Sequence, residues 1–350
     1  MKLPWVNILL LVLLAIQTFT GYLGFTNGRE PAAWLLIAHG IVAYALVLLV
    51  FLKAAIILDT WRRKKRWTGQ RIGFVVALVL LILTVLSGLL WTFDGPLYLG
   101  GFSLVSLHIY LAVPLMALML WHAWHMRFIR RVDGALGRRL FLGALASVAG
   151  GFLLWATVSR AKALAGLSGA SRRFTGSYDV GSYTPDFPVV SWIADRPPPI
   201  DVPVWQLRVE GAVAHPISLS YDELASLEQW EVDAAIDCTG GWYSKQRWQG
   251  VPVGELLDRA GVLPAAASVT VEAVSGYKRR FPLAEARQCL LALKTMDASA
   301  GGEYRPLSHG HGYPVRWVAP ERRGMEWVKW VVVLRVNETG PYLQSPLPLQ

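Results

Sequence analysis

Apolar positions fall along this chain in two contrasting patterns. Up to residue 158 they form five nearly unbroken runs, at 5–25, 32–58, 72–91, 104–126 and 140–158. Each is close to the ~20 residues that a helix needs to cross a bilayer core of about 30 Å. A helix of a water-soluble bundle would keep a polar stripe, and Leu78 to Leu83 with their neighbours offer none. These runs predict five transmembrane helices. Beyond them the apolar stretches shorten and mix with charged, proline and glycine residues. Strands are expected at 205–209, 231–236, 268–273 and 329–336, with short helices at 220–227 and 253–260. Ser220, followed three residues later by Glu223, is a capping-box start for the first of these helices. The fold class is therefore an all-α transmembrane bundle over 1–158, a linker and extended arm over 159–200, and an α+β domain over 201–350.

Charge sharpens this picture. The 350 residues carry a formal net charge of +10, which on one face would suggest nucleic acid. Here much of the excess lies between apolar runs, in Arg62-Arg63-Lys64-Lys65-Arg66 and from Arg127 to Arg139. That placement fits membrane topology, and no nucleic-acid partner is expected. By the positive-inside rule the loops 59–71 and 127–139 lie in the cytoplasm. The loops 26–31 and 92–103 carry no net positive charge and lie outside. The N-terminus is then cytoplasmic, and everything after the fifth helix is on the outer face of a bacterial cytoplasmic membrane.

Ionisable residues inside membrane helices are expensive and mark function. His39 lies about seven residues into the second run and His108 about five into the fourth, both counted from the outer end. Two imidazoles at matched depth can hold a b-type haem, the reading preferred here; the alternative for each is a hydrogen bond to a neighbouring helix. His122 follows His108 by 14 residues, a spacing that a helix serving a second haem would show. The position 14 residues after His39 is Lys53, so no partner imidazole is supplied, and His122 and His125 fit interfacial positions as well. One haem is expected, with two as the alternative.

The soluble half is organised around Ala235-Ile236-Asp237-Cys238-Thr239-Gly240-Gly241-Trp242-Tyr243 and the following Trp248-Gln249-Gly250-Val251-Pro252. A short apolar run delivers one cysteine to a turn, and the glycines let backbone approach closely. A thiolate presented in this way suits a soft metal; taken alone, the cysteine could also be a buried core residue. The second cysteine, Cys289, is most simply a small core side chain, and two cysteines make no disulfide framework.

Cys238-Thr239-Gly240-Gly241-Trp242 with the Trp248–Pro252 segment resembles the molybdenum-ligand region of the sulfite oxidase family of molybdopterin enzymes. A second block agrees: His311-Gly312-Tyr313-Pro314-Val315-Arg316, then Pro320, Gly324 and Val328-Lys329-Trp330. The resemblance covers about 186–336, including Asp186-Phe187-Pro188 and Ser191-Trp192 of an arm that lies over the pterin in relatives. It implies that Cys238 supplies the one protein sulfur to molybdenum. It makes His311, Arg316, Lys329 and Arg322 or Arg323 the candidates to hold the pterin and its phosphate. Tyr277 and Arg279, or Arg280 in its place, in Gly276-Tyr277-Lys278-Arg279-Arg280, would face a small oxyanion or sulfoxide substrate. The resemblance of the membrane half to cytochrome b-type anchors rests on histidine placement alone.

Together these readings describe a membrane-bound molybdenum-cofactor oxidoreductase. It would transfer oxygen atoms and exchange electrons through the b-haem with quinone, quinol or another membrane carrier. A haem-free anchor and a non-catalytic molybdopterin-fold binding protein are the alternatives. Gly137-Arg138-Arg139-Leu140-Phe141-Leu142-Gly143, ahead of an Ala/Gly-rich run, further resembles a twin-arginine export signal set inside the chain. Export of an already folded domain is what a cofactor loaded in the cytoplasm would require.

Overall fold

A computed structural model of the chain describes residues 4–63, 69–125, 134–191, 195–341 and 344. It divides into two compact units at Tyr178/Asp179, inside the stretch read from the sequence as linker and arm. Part of both basic clusters, residues 64–68 and 126–133, lies outside the described residues, as does Trp192.

The first unit is helical: α1 (Pro4–Thr26), α2 (Trp34–Arg63), α3 (Gly69–Phe93), α4 (Leu104–His125) and α5 (Gly134–Leu164). A small antiparallel hairpin, β1 (Tyr98–Leu99) with β2 (Phe102–Ser103), links α3 to α4. All five expected runs are helices long and apolar enough to cross a membrane. α5 continues past 158 because Ser159 to Leu164 contains neither glycine nor proline, and its Ala, Arg, Lys and Leu residues favour helix. Large apolar side chains such as Phe51, Val113, Trp124 and Leu153 point outward, where water would penalise so wide an apolar surface.

The helices form two groups, with α1, α2 and α5 packed on one another and α3 packed on α4. Small residues set the close approaches. A Cβ on Gly151 of α5 would lie 2.5 Å from the Ile41 carbonyl oxygen of α2, and one on Gly24 of α1 would lie 2.7 Å from the Leu36 side chain. Val6, Leu9, Leu13, Val42, Ala45 and Leu49 fill the α1–α2 interface.

The second unit is α+β. After β3 (Tyr178–Asp179) come β4 (Gln206–Gly211), β5 (Ile217–Ser220), α6 (Tyr221–Ser226), β6 (Trp230–Asp237), β7 (Trp242–Pro252) and α7 (Val253–Ala260). They are followed by β8 (Ser268–Ala273), β9 (Lys278–Pro282), α8 (Leu283–Ala286), β10 (Leu290–Asp297), β11 (Glu303–Pro306), β12 (Arg316–Val318) and β13 (Val331–Asn337). One sheet runs β5-β4-β13-β8-β9, with β13 parallel to β4. The other centres on β7 and β10, with β6 on β7 and β11 and β12 on β10. α7 buries Val253, Leu256, Leu257 and Ala260 completely in a core shared with both sheets, and ends at Gly261 with φ 65°, a left-handed cap that glycine adopts without strain. α6 has the expected capping box: Ser220 Oγ accepts from the Glu223 N–H, and the Glu223 carboxylate accepts from the Ser220 N–H. This architecture delivers both ends of the β6–β7 turn, the start of β12 and the start of β13 to one place.

Candidate functional site

Cys238 follows β6 directly. Its N–H donates to the Trp242 carbonyl (2.8 Å), and its own carbonyl accepts from the Gly241 N–H (3.1 Å), so the thiol stands on a closed turn. Gly241 has φ 89°, open to glycine and strained for a side chain. The Gly240 N–H points at the sulfur, 3.3 Å from Sγ. The residue is 8% exposed. Burial pushes the Cys238 thiol up, and the Gly240 N–H, Arg323 and Arg316 pull it back toward thiolate.

Arg323 and Arg316 flank this turn. Arg323 donates from Nη1 to Asp237 Oδ1 (2.6 Å) and from Nη2 to the Cys238 carbonyl (3.2 Å), locking the end of β6. Arg316, at the start of β12, donates from Nη1 to the His311 carbonyl (3.0 Å) and lies over the rings of Trp248 and Trp327. It has no carboxylate partner among the described residues, and burial lowers it to about 9, with Cys238 acting in the opposite sense. The Nε atoms of Arg316 and Arg323 are buried without a hydrogen-bond partner. A buried donor left unmade is expensive, so two such donors beside one thiol describe a place that expects an anion.

The arm crosses the same region. Phe187 is buried against His311 (centroids 3.9 Å), Trp248 (5.9 Å) and Trp242 (6.5 Å). His311 places Nε2 2.8 Å from the Phe187 carbonyl, which can only accept, so Nδ1 accepts from the Ser308 hydroxyl at 2.9 Å. Nε2 thus fastens the arm while Ser308 holds the ring from the other side, and burial lowers the imidazole to about 4. Lys329 is used in the same way, its Nζ donating to the Val190 carbonyl (3.2 Å), Ser191 Oγ (2.6 Å) and the Gly310 carbonyl (3.0 Å). Burial, then Arg316, brings Lys329 down to about 7. His311 and Lys329, taken from sequence as pterin contacts, here clamp the arm.

Of the three cations after Tyr277, strand alternation turns Arg279 inward. Lys278 is exposed, and Arg280 donates to Ser268 Oγ (2.7 Å) and Thr339 Oγ1 (2.7 Å). The Tyr277 hydroxyl donates to the Met325 carbonyl and accepts from Arg279 Nε (3.1 Å); burial raises its pKa, so it remains a donor. Arg322 is directed elsewhere, with Nε and Nη2 on the Glu285 carboxylate (2.5 and 2.6 Å) and Nη1 on Glu326 (3.1 Å). Of the Arg322/Arg323 pair, only Arg323 stands at the cysteine. Two residues that sequence reasoning missed complete the site. Asp237 is the buried counter-ion of Arg323, and Asp195 is a buried acid whose Oδ1 has no partner. Asp237 precedes the cysteine inside the quoted segment but has no marked role there, and Asp195 belongs to no motif. Cys289 is a core residue whose thiol donates to the Glu285 carbonyl.

In the first unit, His39 of α2 and His108 of α4 meet with ring centroids 6.2 Å apart and planes at 75°. Each is held by the preceding helix in the same manner. His39 Nδ1 faces the Gln17 carbonyl (3.1 Å) and His108 Nδ1 the Thr84 carbonyl (2.8 Å), which fixes the tautomer and leaves Nε2 of each ring as the lone-pair nitrogen. Four residues beyond each carbonyl is a glycine on which the ring rests. A Cβ on Gly21 would be 2.9 Å from His39 Cε1, and one on Gly88 3.1 Å from His108 Cε1. Gln17 Nε2 meets His39 Nε2 at 2.9 Å, while Gln17 Oε1 is buried without a partner. Gly21 and Gly88 were legible only as glycines in apolar helices. His122 lies beside Phe74 of α3 (6.2 Å), and the side chain of His125 lies outside the described residues.

Residues 194–342 match the model of the oxidoreductase molybdopterin binding domain. The chain is 32% identical over 162 residues to the uncharacterized oxidoreductase YuiH of Bacillus subtilis strain 168, covering 45% of this chain and 78% of that one. It therefore belongs to the molybdopterin-binding oxidoreductase family. The protein-methionine-sulfoxide reductase catalytic subunit MsrP of Xanthomonas campestris is 30% identical over 148 residues, 39% of this chain and 46% of MsrP. The NADH nitrate reductase of Spinacia oleracea is 27% identical over 175 residues, 39% of this chain and 18% of that enzyme. This chain thus matches less than half the length of either of those two. Among solved structures, the sulfane dehydrogenase SoxCD of Paracoccus pantotrophus is 26% identical, with 40% of each chain covered and a TM-score of 0.37.

Proposed function

We propose that this oxidoreductase binds a molybdenum–pterin cofactor through Cys238 and works from the outer face of a bacterial cytoplasmic membrane. Its five helices would serve both as anchor and as seat of one b-type haem. The observation that carries the first part is the thiol flanked by two buried guanidinium groups, Arg316 and Arg323, each with an orphaned Nε. A pterin phosphate satisfies such donors, and a thiolate is the soft donor that molybdenum takes. Bound there, the cofactor supplies oxygen-atom exchange with a two-electron change at the metal.

The chain's own residues do the rest. Arg323 fixes the Cys238 carbonyl and holds the sulfur in place. Arg316 and Lys329 neutralise the anion, with the arm residues Val190 and Ser191 yielding Lys329 Nζ when a phosphate competes for it. Tyr277 and Arg279 orient the oxygen of a small sulfoxide or oxyanion, the guanidinium as fixed charge and the hydroxyl as donor once it turns from the Met325 carbonyl. The name of the MsrP relative favours sulfoxide as the first substrate to try.

The haem reading is supported by the imidazole pair. His39 and His108 would hold the group: their rings face one another across the helices with centroids 6.2 Å apart, and paired imidazoles are haem ligands. Nδ1 bonded to a carbonyl is the usual support of a ligating histidine, and both rings have it. A haem there supplies one-electron exchange with quinone or another membrane carrier. With Phe74 set against His122, one haem is the reading we adopt. The exposed Arg138 and Arg139 near the start of α5 fit either positive-inside residues or an internal twin-arginine signal, and we adopt the signal. Molybdenum and haem content of the wild type beside Cys238→Ala and His39→Ala tests the whole. A wild-type protein without molybdenum would refute the first part, and one without haem the second.

A further inference from the structure

Two cations of the helical unit, one buried and one half-buried, have no acidic partner among the described residues. Lys162, near the end of α5, is 6% exposed. Arg172, in the loop after α5, donates from Nε to the Gly169 carbonyl (3.3 Å). The two lie close enough to repel one another, and Arg172 is within charge range of Tyr44 and Tyr178. The Tyr44 hydroxyl is itself buried without a partner. Buried positive charge without compensation is costly, so this cluster expects an anion.

Their position says which one. Along α5, Gly150 packs on Leu48, Gly151 on Ile41 and Ala45, and the Trp155 ring on Gly40, so α5 runs antiparallel to α2. Lys162, seven residues past Trp155, is then about 10 Å beyond the level of Gly40 and its neighbour His39. On the other side, a Cβ on Gly169 would lie 1.8 Å from the Thr92 carbonyl oxygen, so the loop that carries Arg172 is pressed onto α3. Thr92 is one turn past Gly88, the residue on which His108 rests. One cation therefore comes from the His39 side of the seam between the helix groups and one from the His108 side, and both lie toward the same end. The loop is closed there by the Tyr178 hydroxyl donating to the Trp91 carbonyl (2.5 Å) and by Trp91 Nε1 donating to the Gly176 carbonyl (3.0 Å).

We propose that Lys162 and Arg172 are a carboxylate-binding pair for the two propionates of a haem seated between His39 and His108, a site that rests on the haem reading above. Propionates are ionised and must face the wet end of an apolar bundle, where two fixed cations meet them. An anionic lipid headgroup presents a similar charge, but it would meet a snorkelling, exposed lysine, not one buried to this degree.

The test uses the full-length chain in membranes and compares wild type with Lys162→Gln, Arg172→Gln, the double variant, and the charge-keeping Lys162→Arg and Arg172→Lys. Charge-assisted hydrogen bonds of ordinary strength predict that the double variant loses haem about tenfold or more. Each single glutamine variant should retain haem with its midpoint potential moved downward, because a lost cation disfavours the reduced iron. The charge-keeping variants should restore both values, and molybdenum content should not move. Unchanged haem content and potential in the double variant would overturn the assignment. It would equally fail if the double variant shed copurified anionic lipid while the potential held. Failure of the haem reading itself looks different, since the wild type would then show no haem bands and His39→Ala would change nothing.

Discussion

At the scale of single residues, Cys238 is a thiol made to hold something rather than to attack it. Its turn is closed by backbone bonds, the Gly240 N–H is aimed at the sulfur, and burial keeps it from reacting as a free thiolate. Cys238→Ala should abolish turnover and molybdenum binding while leaving haem bands intact, read by metal analysis beside the absorption spectrum. Arg316→Gln should lower cofactor content by about tenfold, the order of one charged hydrogen bond, with Arg316→Lys recovering only part because one ammonium cannot replace a planar fork. His311 makes a pH prediction. Burial holds its folded pKa at about 4, below the ordinary 6.5 of a free imidazole, so the unfolded chain binds the extra proton between those values. Stability of the catalytic unit should therefore fall as pH drops from about 6.5 toward 4. His311→Gln should flatten that slope in thermal unfolding followed by tryptophan fluorescence. The cysteine and Arg316 could be found in the sequence because each stands in a spaced motif. The choice between Arg322 and Arg323 could not, since one residue of turn geometry sends the first to Glu285 and the second to Asp237.

At the scale of elements, the site depends on register. β6 and β7 pair from Trp230–Gly250 to Asp237–Tyr243, so the cysteine turn is held by a full-length hairpin, and β7 is in turn locked to β10 through Leu291–Val251. Gly250 makes that second lock feasible: a Cβ there would lie 1.9 Å from the Leu291 carbonyl oxygen. Gly250→Ala should destabilise the catalytic unit by about 2 kcal/mol or more, measured by urea titration, and loosen the metal site with it. The sequence pointed to β4, β6, β8 and β13, whose ends are marked by apolar alternation. It did not announce β7, because Trp, Ser, Lys, Gln and Gly in succession resemble a loop until a neighbouring strand buries them. β10 was missed because both of its faces are largely covered, which removes the alternation. In the helical unit, Gln17/Gly21 and Thr84/Gly88 form a repeated device invisible to hydropathy, since its working parts are carbonyls and missing side chains.

At the scale of the whole molecule, the order of the halves was plain from the distribution of apolar residues, while their division at Tyr178 was not. The turn-rich stretch before residue 200 gives no compositional mark of where one packed unit ends. Cys238 and the His39–His108 pair lie in separate units of the chain, so losses of the two proposed cofactors should be separable. His39→Ala should remove the haem spectrum and leave molybdenum bound. Replacing Arg138 and Arg139 by lysine should keep the first four helices inserted and strand the catalytic unit inside, as protease protection of intact cells would reveal; an unchanged outer location would dismiss the export signal. The crossed setting of His39 and His108 at 75° has a magnetic consequence. Two imidazoles crossed at right angles on one iron would leave its two π-interacting d orbitals nearly equal in energy, whereas parallel rings would split them. If the proposed haem is held by these two residues, its oxidised form should give a low-spin resonance dominated by one low-field feature. Gly88→Ala, by pressing on the His108 ring, should rotate it and spread that signal toward three resolved components.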